Sequence, residues 1–171
     1  KRNETTRIDV DNIYSLSRAA GRDTIEGGIS LSYGSDYSII NKANSNEVFN
    51  LKLANNLRFE ENDDLPNNNQ IGQKTSNFFG EVAYSPNDFI TTKYNTSVKN
   101  NLSDVNYENL IAEIKINNFV TSFDYLNENN ISDENSYLSN KTSLILNHSN
   151  NLSFSTRKNK TLDLTEYYKL M

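Results

Sequence analysis

The sequence predicts an all-β fold: an antiparallel transmembrane β-barrel segment, about eight strands of a larger barrel. Three observations predict it. Along several stretches apolar residues recur at every second position, the period of a strand with one apolar and one polar face. These stretches run to roughly ten residues, about what a tilted strand needs to cross a membrane. The connections between them alternate long and short, as in barrels whose loops crowd one rim and whose turns crowd the other. A soluble β-sandwich also alternates, but here the polar faces are rich in Asn, Ser and Lys, and the loops carry few large apolar residues.

Composition narrows the class. Only 35% of the 171 residues are hydrophobic, Trp and Cys are absent, and 30 residues are Asn. No run approaches the ~18 apolar residues of a membrane helix. A net charge of -5 and a pI near 4.9 argue against nucleic acid as a partner, which calls for clustered Lys and Arg. The lack of Cys excludes a disulfide scaffold or a thiolate metal site within these residues. No signal peptide is visible and the first residue is Lys1, so both ends are expected to be cut from something longer.

In chain order, Lys1 to Asp23 reads as polar and irregular, with Ile13 to Leu16 too brief to assign. Thr24 to Tyr33 reads as a strand, with Ile29, Leu31 and Tyr33 on one face, and residues 35–46 as a connection. Val48 to Phe59 alternates Phe49, Leu51 and Leu53 against Asn50, Lys52 and Ala54, and Glu60 to Lys74 is a long acidic loop. The organising stretch is Ser76 to Val98, two strands about a turn at Ser85-Pro86-Asn87-Asp88. Phe78, Val82 and Tyr84 face one side of its first arm; Ile90, Thr92, Tyr94, Thr96 and Val98 face one side of its second. A loop at Asn100 to Asp104 leads to a strand ending near Asn117. There Tyr107 and Ile111 fall opposite Leu110, Ala112, Ile114 and Ile116, which points to a bulge near Asn109. Asn117-Asn118 is a tight turn, Phe119 to Tyr125 a strand, and Asn127 to Ser136 a long loop. Leu138 to Leu146 descends to a turn at Asn147 to Asn150, Leu152 and Phe154 return, Thr156 to Thr161 is a basic loop, and Thr165 to Met171 begins another strand. Tyr33, Tyr84, Tyr94, Tyr107, Tyr125 and Tyr137 fall near strand ends, where an interfacial girdle would place them.

Several of these stretches carry a resemblance. Ile8-Asp9-Val10-Asp11-Asn12, Leu16-Ser17-Arg18, Gly21-Arg22-Asp23, Ile25-Glu26-Gly27-Gly28 and the strand ending Tyr33-Gly34 resemble the opening of the C-terminal barrel of the lipopolysaccharide-assembly outer-membrane protein family (LptD, also called OstA or organic solvent tolerance protein). Ser76-Asn77-Phe78-Phe79-Gly80-Glu81, Tyr84-Ser85-Pro86 and Tyr94-Asn95 fit the same family, and Phe154 to Lys160 with Thr161 to Tyr168 is similar to a strand-loop-strand of its alphaproteobacterial members. Ala19-Ala20 and Asn77 depart from the residues usual there, without breaking the strand pattern. The resemblance implies that residues 1–171 are part of the C-terminal barrel domain, truncated at both ends, with the family's Cys pair and lateral-gate strand beyond them. It implies an outer-membrane translocon component that inserts lipopolysaccharide into the outer leaflet and does no bond chemistry. The implied partners are lipopolysaccharide, outer-membrane lipids, a lipoprotein plug and a periplasmic lipopolysaccharide-delivery bridge, and the implied location is the bacterial outer membrane. A porin-like passive channel and a structural or adhesive barrel are the alternatives; a periplasmic β-jellyroll domain upstream would mark the transporter.

No catalytic, cofactor or metal set is legible. His148, the single His, sits in a polar turn without an acid or nucleophile in register. Glu60, Glu61, Asp63 and Asp64 match no calcium-loop spacing and read as a solvated loop. The sequons at Asn95 and Asn151 fall inside predicted strands, as chance allows with so many Asn. Arg157, Lys158 and Lys160 fit either phosphate contacts at the outer leaflet or a plain loop tip. Strand parity assigns Lys52, Lys93, Asn95, Ser97 and Lys99 to the lumen, because their immediate neighbours are the apolar ones. Ile90, Tyr94, Phe123, Leu144 and Leu146 are assigned to lipid.

Overall fold

A computed structural model describes residues 7–15, 18, 26–65, 69–129, 134–147 and 150–171. Nine strands occupy most of them: β1 (Ser30–Ile40), β2 (Glu47–Arg58), β3 (Phe78–Asn87), β4 (Ile90–Val98), β5 (Val105–Ile116), β6 (Phe119–Asn129), β7 (Glu134–Asn147), β8 (Asn150–Asn159) and β9 (Leu164–Leu170). They form one antiparallel sheet in chain order, β1 through β9, so every connection is a hairpin and the two outer strands do not meet. The sheet is therefore open.

Asn chemistry makes several of the short turns. Asn117 takes φ +51°, a conformation Asn tolerates better than most residues, and this lets Ile116 pair with Phe119 across two residues. The turn after β3 lies further along than the sequence suggests. Pro86 sits inside the strand at a register shift, and Asn87 Oδ1 accepts from the amides of Phe89 and Ile90 to close the hairpin over Asp88 and Phe89. Four other expectations change. Residues 35–40 continue β1 instead of connecting, because Tyr37 and Ile39 keep the alternation going opposite Leu51 and Phe49. β1 begins only at Ser30, after Gly28 at φ +86°. The irregularity in β5 lies before Tyr107, where Val98 pairs with Val105 and Ser97 with Tyr107, and not at Asn109. Arg157, Lys158 and Asn159 also belong to β8, which shortens the basic loop to residues 160–163.

Register sorts the side chains into two faces. One carries Leu51, Val82, Tyr94, Leu110, Tyr125 and Leu138, paired strand to strand in a single row. The other carries Lys52, Glu81, Asn95 and Asn109, likewise in a row. The polar face is the more enclosed: on β8, Ser153 and Ser155 are 4% and 8% exposed, while Leu152 and Phe154 are 49% and 42% exposed. A curled sheet with its polar side inward has this asymmetry.

The buried apolar cluster also lies on the polar side. Ile8, Val10 and Ile13 from the N-terminal segment meet Leu65 and Ile71 of the β2–β3 loop over Ala54 and Phe79. The segment was expected to be irregular; it is instead a closed turn. Asp9 Oδ1 accepts from the amides of Asp11 and Asn12, Asn12 Oδ1 accepts from the amide of Asp9, and the Ile13 amide donates to the Asp9 carbonyl. That reciprocal arrangement is a helix-start cap without a helix to follow, and it aims Ile13, wholly buried, at the sheet. Phe79 is 1% exposed beneath it. Phe79→Ala is expected to cost about 3–5 kcal/mol, read from urea unfolding of the full-length protein in detergent.

Candidate functional site

The site is built on two adjacent rows of the polar face. The first runs Gly34, Ala54, Phe79, Ser97, Tyr107, Glu128, one residue from each of β1 to β6. The N-terminal segment lies across this row. Near its far end Tyr14 comes down over Gly34, where a Cβ would run into the Tyr14 hydroxyl and the Leu53 carbonyl, so glycine is what lets the segment approach. At its near end Arg7 stacks 4.0 Å over the Tyr107 ring, donates to the Tyr107 hydroxyl at 3.1 Å and pairs with Glu128 at 3.5 Å. Ser97, buried in the middle of the row, accepts from Asn77 Nδ2 at 2.9 Å.

The second row runs Asp36, Lys52, Glu81, Asn95, Asn109. Glu81 has a 6% exposed side chain between two lysines, with Lys93 Nζ at 2.8 Å and Lys52 Nζ at 3.5 Å. Lys52 turns its ammonium toward the N-terminal segment as well, reaching Asp11 Oδ1 at 3.0 Å. The chain of charges is thus Asp11, Lys52, Glu81, Lys93, alternating in sign across the segment and three strands. A cleft lined by Val10, Asp11, Tyr14, Gly34, Asp36 and Lys52 opens beside it.

Where the segment enters the sheet, Glu26 is clamped by two guanidiniums. Arg18 donates to both Glu26 carboxylate oxygens and to Ser30 and Ser32, while Arg58 donates to Glu26 Oε1 at 3.1 Å and to the Gly27 and Ile71 carbonyls. Burial pushes the Glu26 carboxyl upward, but the Arg18 hydrogen bonds and the charges of Arg18 and Arg58 outweigh it and hold the pKa below its ordinary 4.5.

Of the residues assigned by parity to the lumen, Lys52, Lys93, Asn95 and Ser97 share this face. Lys99 lies past the end of β4 and pairs with Asp104 at 2.8 Å across the β4–β5 loop. Ile90, Tyr94, Phe123 and Leu144 fall together on the opposite face, against Ile114, Leu110, Ala112 and Phe119. Leu146, 60% exposed, sits at the register shift that ends β7. Tyr107 and Tyr137 leave the aromatic set of that face. Tyr107 lies under Arg7, and Tyr137 lies under the Arg157 guanidinium at 3.7 Å. The basic cluster is already partnered: Arg157 with Glu166, Lys158 with Asp163, and Lys160 5.0 Å over the Tyr125 ring. His148 lies outside the described residues. Sequence reading missed Asp11, Glu81 and the Glu26 clamp; the Asp9-to-Asn12 spacing was the available signal for the turn, whereas the ion chain needs cross-strand register.

Compared with known proteins, the chain matches the model of the family described as LptD, LPS transport system D, over residues 4–160. No curated protein sequence matches it.

The clamp gives a pH dependence with a definite sign. A carboxyl whose folded pKa is depressed stabilises the fold fully above its unfolded value and loses that contribution as pH falls through the folded value. Release of the N-terminal segment, followed by limited proteolysis of the full-length protein from about pH 6 to about pH 3, is expected to set in only below the ordinary Glu26 value of 4.5. Glu26→Gln should make the segment cleavable throughout that range and flatten the dependence.

Proposed function

The chain belongs to the LptD family, described by its role in LPS transport, and on that premise we propose that it is part of an outer-membrane barrel that inserts lipopolysaccharide into the outer leaflet. In this reading residues 1–171 are a piece of the C-terminal barrel domain. The observation that carries it is the sorting of nine antiparallel strands, in a chain of this family, into one exposed apolar face and one more enclosed polar face. Hydrocarbon tolerates only a closed sheet with apolar side chains outward, so the sheet must be completed by strands of the same barrel.

The chemistry expected of such a wall is binding and release without covalent change. Lys52 and Lys93, with Asn95, offer cationic and amide partners to a phosphorylated sugar moving along the polar side, while Ser97 is buried beneath the segment. The acyl chains would leave through a lateral seam outside these residues. A lipoprotein plug and a periplasmic delivery bridge are the partners this reading calls for, with outer-membrane lipid around the apolar face.

Two experiments on the full-length protein test it. Arg in place of Leu144 should cost ~2–4 kcal/mol of folding stability in bilayers, while Arg at Ser143, on the opposite face, should be tolerated; equal damage would oppose a membrane barrel. A photo-crosslinker at Asn95 should capture lipopolysaccharide in cells, and one at Thr92 should capture only membrane lipid or nothing. Capture at Asn95 should vanish when the delivery machinery is depleted. Solute permeation without capture would favour a passive pore instead.

A further inference from the structure

We propose that Lys52 and Lys93 form a phosphoryl-anion site on the polar face whose Lys52 arm the Asp11 carboxylate occupies in the resting chain, so that an incoming phosphoryl group and the Asp11 carboxylate exclude one another. The inference deepens the transport reading and rests on it for the identity of the anion's carrier, but the anion site itself stands on geometry.

Two lysines from β2 and β4 converge on one buried carboxylate, Glu81, which holds both ammonium groups without neutralising both. The remaining positive charge is met by Asp11, whose side chain is 60% exposed and whose contact with Lys52 is 3.0 Å. Asp11 is the one member of the chain of charges that does not belong to the sheet. It is carried on the turn closed by Asp9 and Asn12, and the cleft beside Lys52 opens next to it. The Asp11 carboxylate takes a position on the Lys52 ammonium that a phosphoryl oxygen can take in its place. A phosphoryl group offers more oxygens than Asp11 and can take both lysines at once, which a carboxylate on this turn does not do. Binding of the phosphoryl group at Lys52 therefore requires Asp11 to leave. The exchange frees the Asp11 side chain, while the segment stays seated through Ile8, Val10 and Ile13 and tied through Arg7 at Tyr107 and Glu128 and through Arg18 at Glu26.

The test is amine labelling of the full-length protein in phosphatidylcholine bilayers, read residue by residue by mass spectrometry, with inorganic pyrophosphate and lipopolysaccharide as the two probes. Lys115, which pairs with Glu113 near the β5–β6 turn, is the internal control. Asp11→Asn is expected to raise the labelling rate of Lys52 several-fold and to lower several-fold the pyrophosphate concentration that protects Lys52 and Lys93, leaving Lys115 unchanged. Lys52→Gln should weaken protection of Lys93, which guards against a fold defect peculiar to the Asp11 variant. Protection by pyrophosphate and by lipopolysaccharide supports both the site and the transport reading. Protection by pyrophosphate alone supports the anion site while removing lipopolysaccharide as its ligand. Labelling of Lys52 unchanged by Asp11→Asn, or no protection by pyrophosphate, overturns the proposal.

Discussion

Cross-strand register is the constraint on which the rest of this structure depends. Side chains alternate with period two, so a slip of one residue between any two strands would exchange their faces and set Lys52 beside Val82 instead of Leu51. The register holds from β1 to β6 without exchanging faces, which is how Gly34, Ala54, Phe79, Ser97, Tyr107 and Glu128 come to form one line across six strands. That line is a track: small at Gly34 and Ala54, aromatic at Phe79 and Tyr107, charged at Glu128. The N-terminal segment meets it with Tyr14 at Gly34 and with Arg7 at Tyr107 and Glu128, and its Ile8, Val10 and Ile13 join the cluster of Ala54 and Phe79. The irregularities fall near strand ends, where a shift disturbs few pairs.

The polar face is accordingly not an empty wall. Its β1–β4 portion is covered by an apolar cluster contributed mostly from outside the sheet, so Phe79 and Ala54, which break the polar alternation, have partners. Arg18 and Arg58 are buried there, and neither would be tolerated without the Glu26 carboxylate and the carbonyls that fill their donors. The order of dependence runs from register to track, from track to segment, and from segment to Asp11, which reaches Lys52 only because the Asp9–Asn12 turn is seated. The charges on the face thus inherit their geometry from packing.

Much of this was legible in the sequence, for reasons particular residues make plain. Phe78, Val82, Tyr84, Thr92, Tyr94 and Phe123 announce their face by parity alone, and parity is local. Asn117-Asn118 announces a turn because Asn tolerates positive φ. What parity cannot show is which residues on different strands stand side by side. Glu81 reads as one more polar residue until register sets Lys52 opposite it and Lys93 diagonally across from it. Parity carries Lys99 onto the face by one step past Val98, but the strand stops at Val98 and parity gives no sign of that. The N-terminal segment was unreadable for another reason: three apolar residues among polar ones carry no period, and only the surface they meet makes Ile8, Val10 and Ile13 a core. Tyr107 broke the expected pattern because it belongs to that same surface, not to the apolar face.

The apolar face has its own limit, and Glu108 marks it. Glu108 stands on that face in a row with Gly80, Thr96, Asn127 and Ser136, none of them apolar and large. One row further in, Tyr94, Leu110, Tyr125 and Leu138 begin the band of large apolar and aromatic side chains. The two tyrosines bridge the rows: Tyr94 donates to Glu108 at 3.2 Å and Tyr125 at 3.5 Å, with the Asn127 amide at 3.3 Å. A carboxylate in hydrocarbon costs several kcal/mol even when partnered, so a boundary with water has to fall at or outside this row if the face meets lipid. Tyrosine rings on the apolar side with hydroxyls turned toward the polar row are the arrangement that an amphipathic side chain adopts at such a boundary. Within the membrane reading, the β4–β7 part of the sheet therefore carries its interfacial edge at Glu108, and the loops at that end, residues 99–104 and 160–163 among them, lie on its aqueous side.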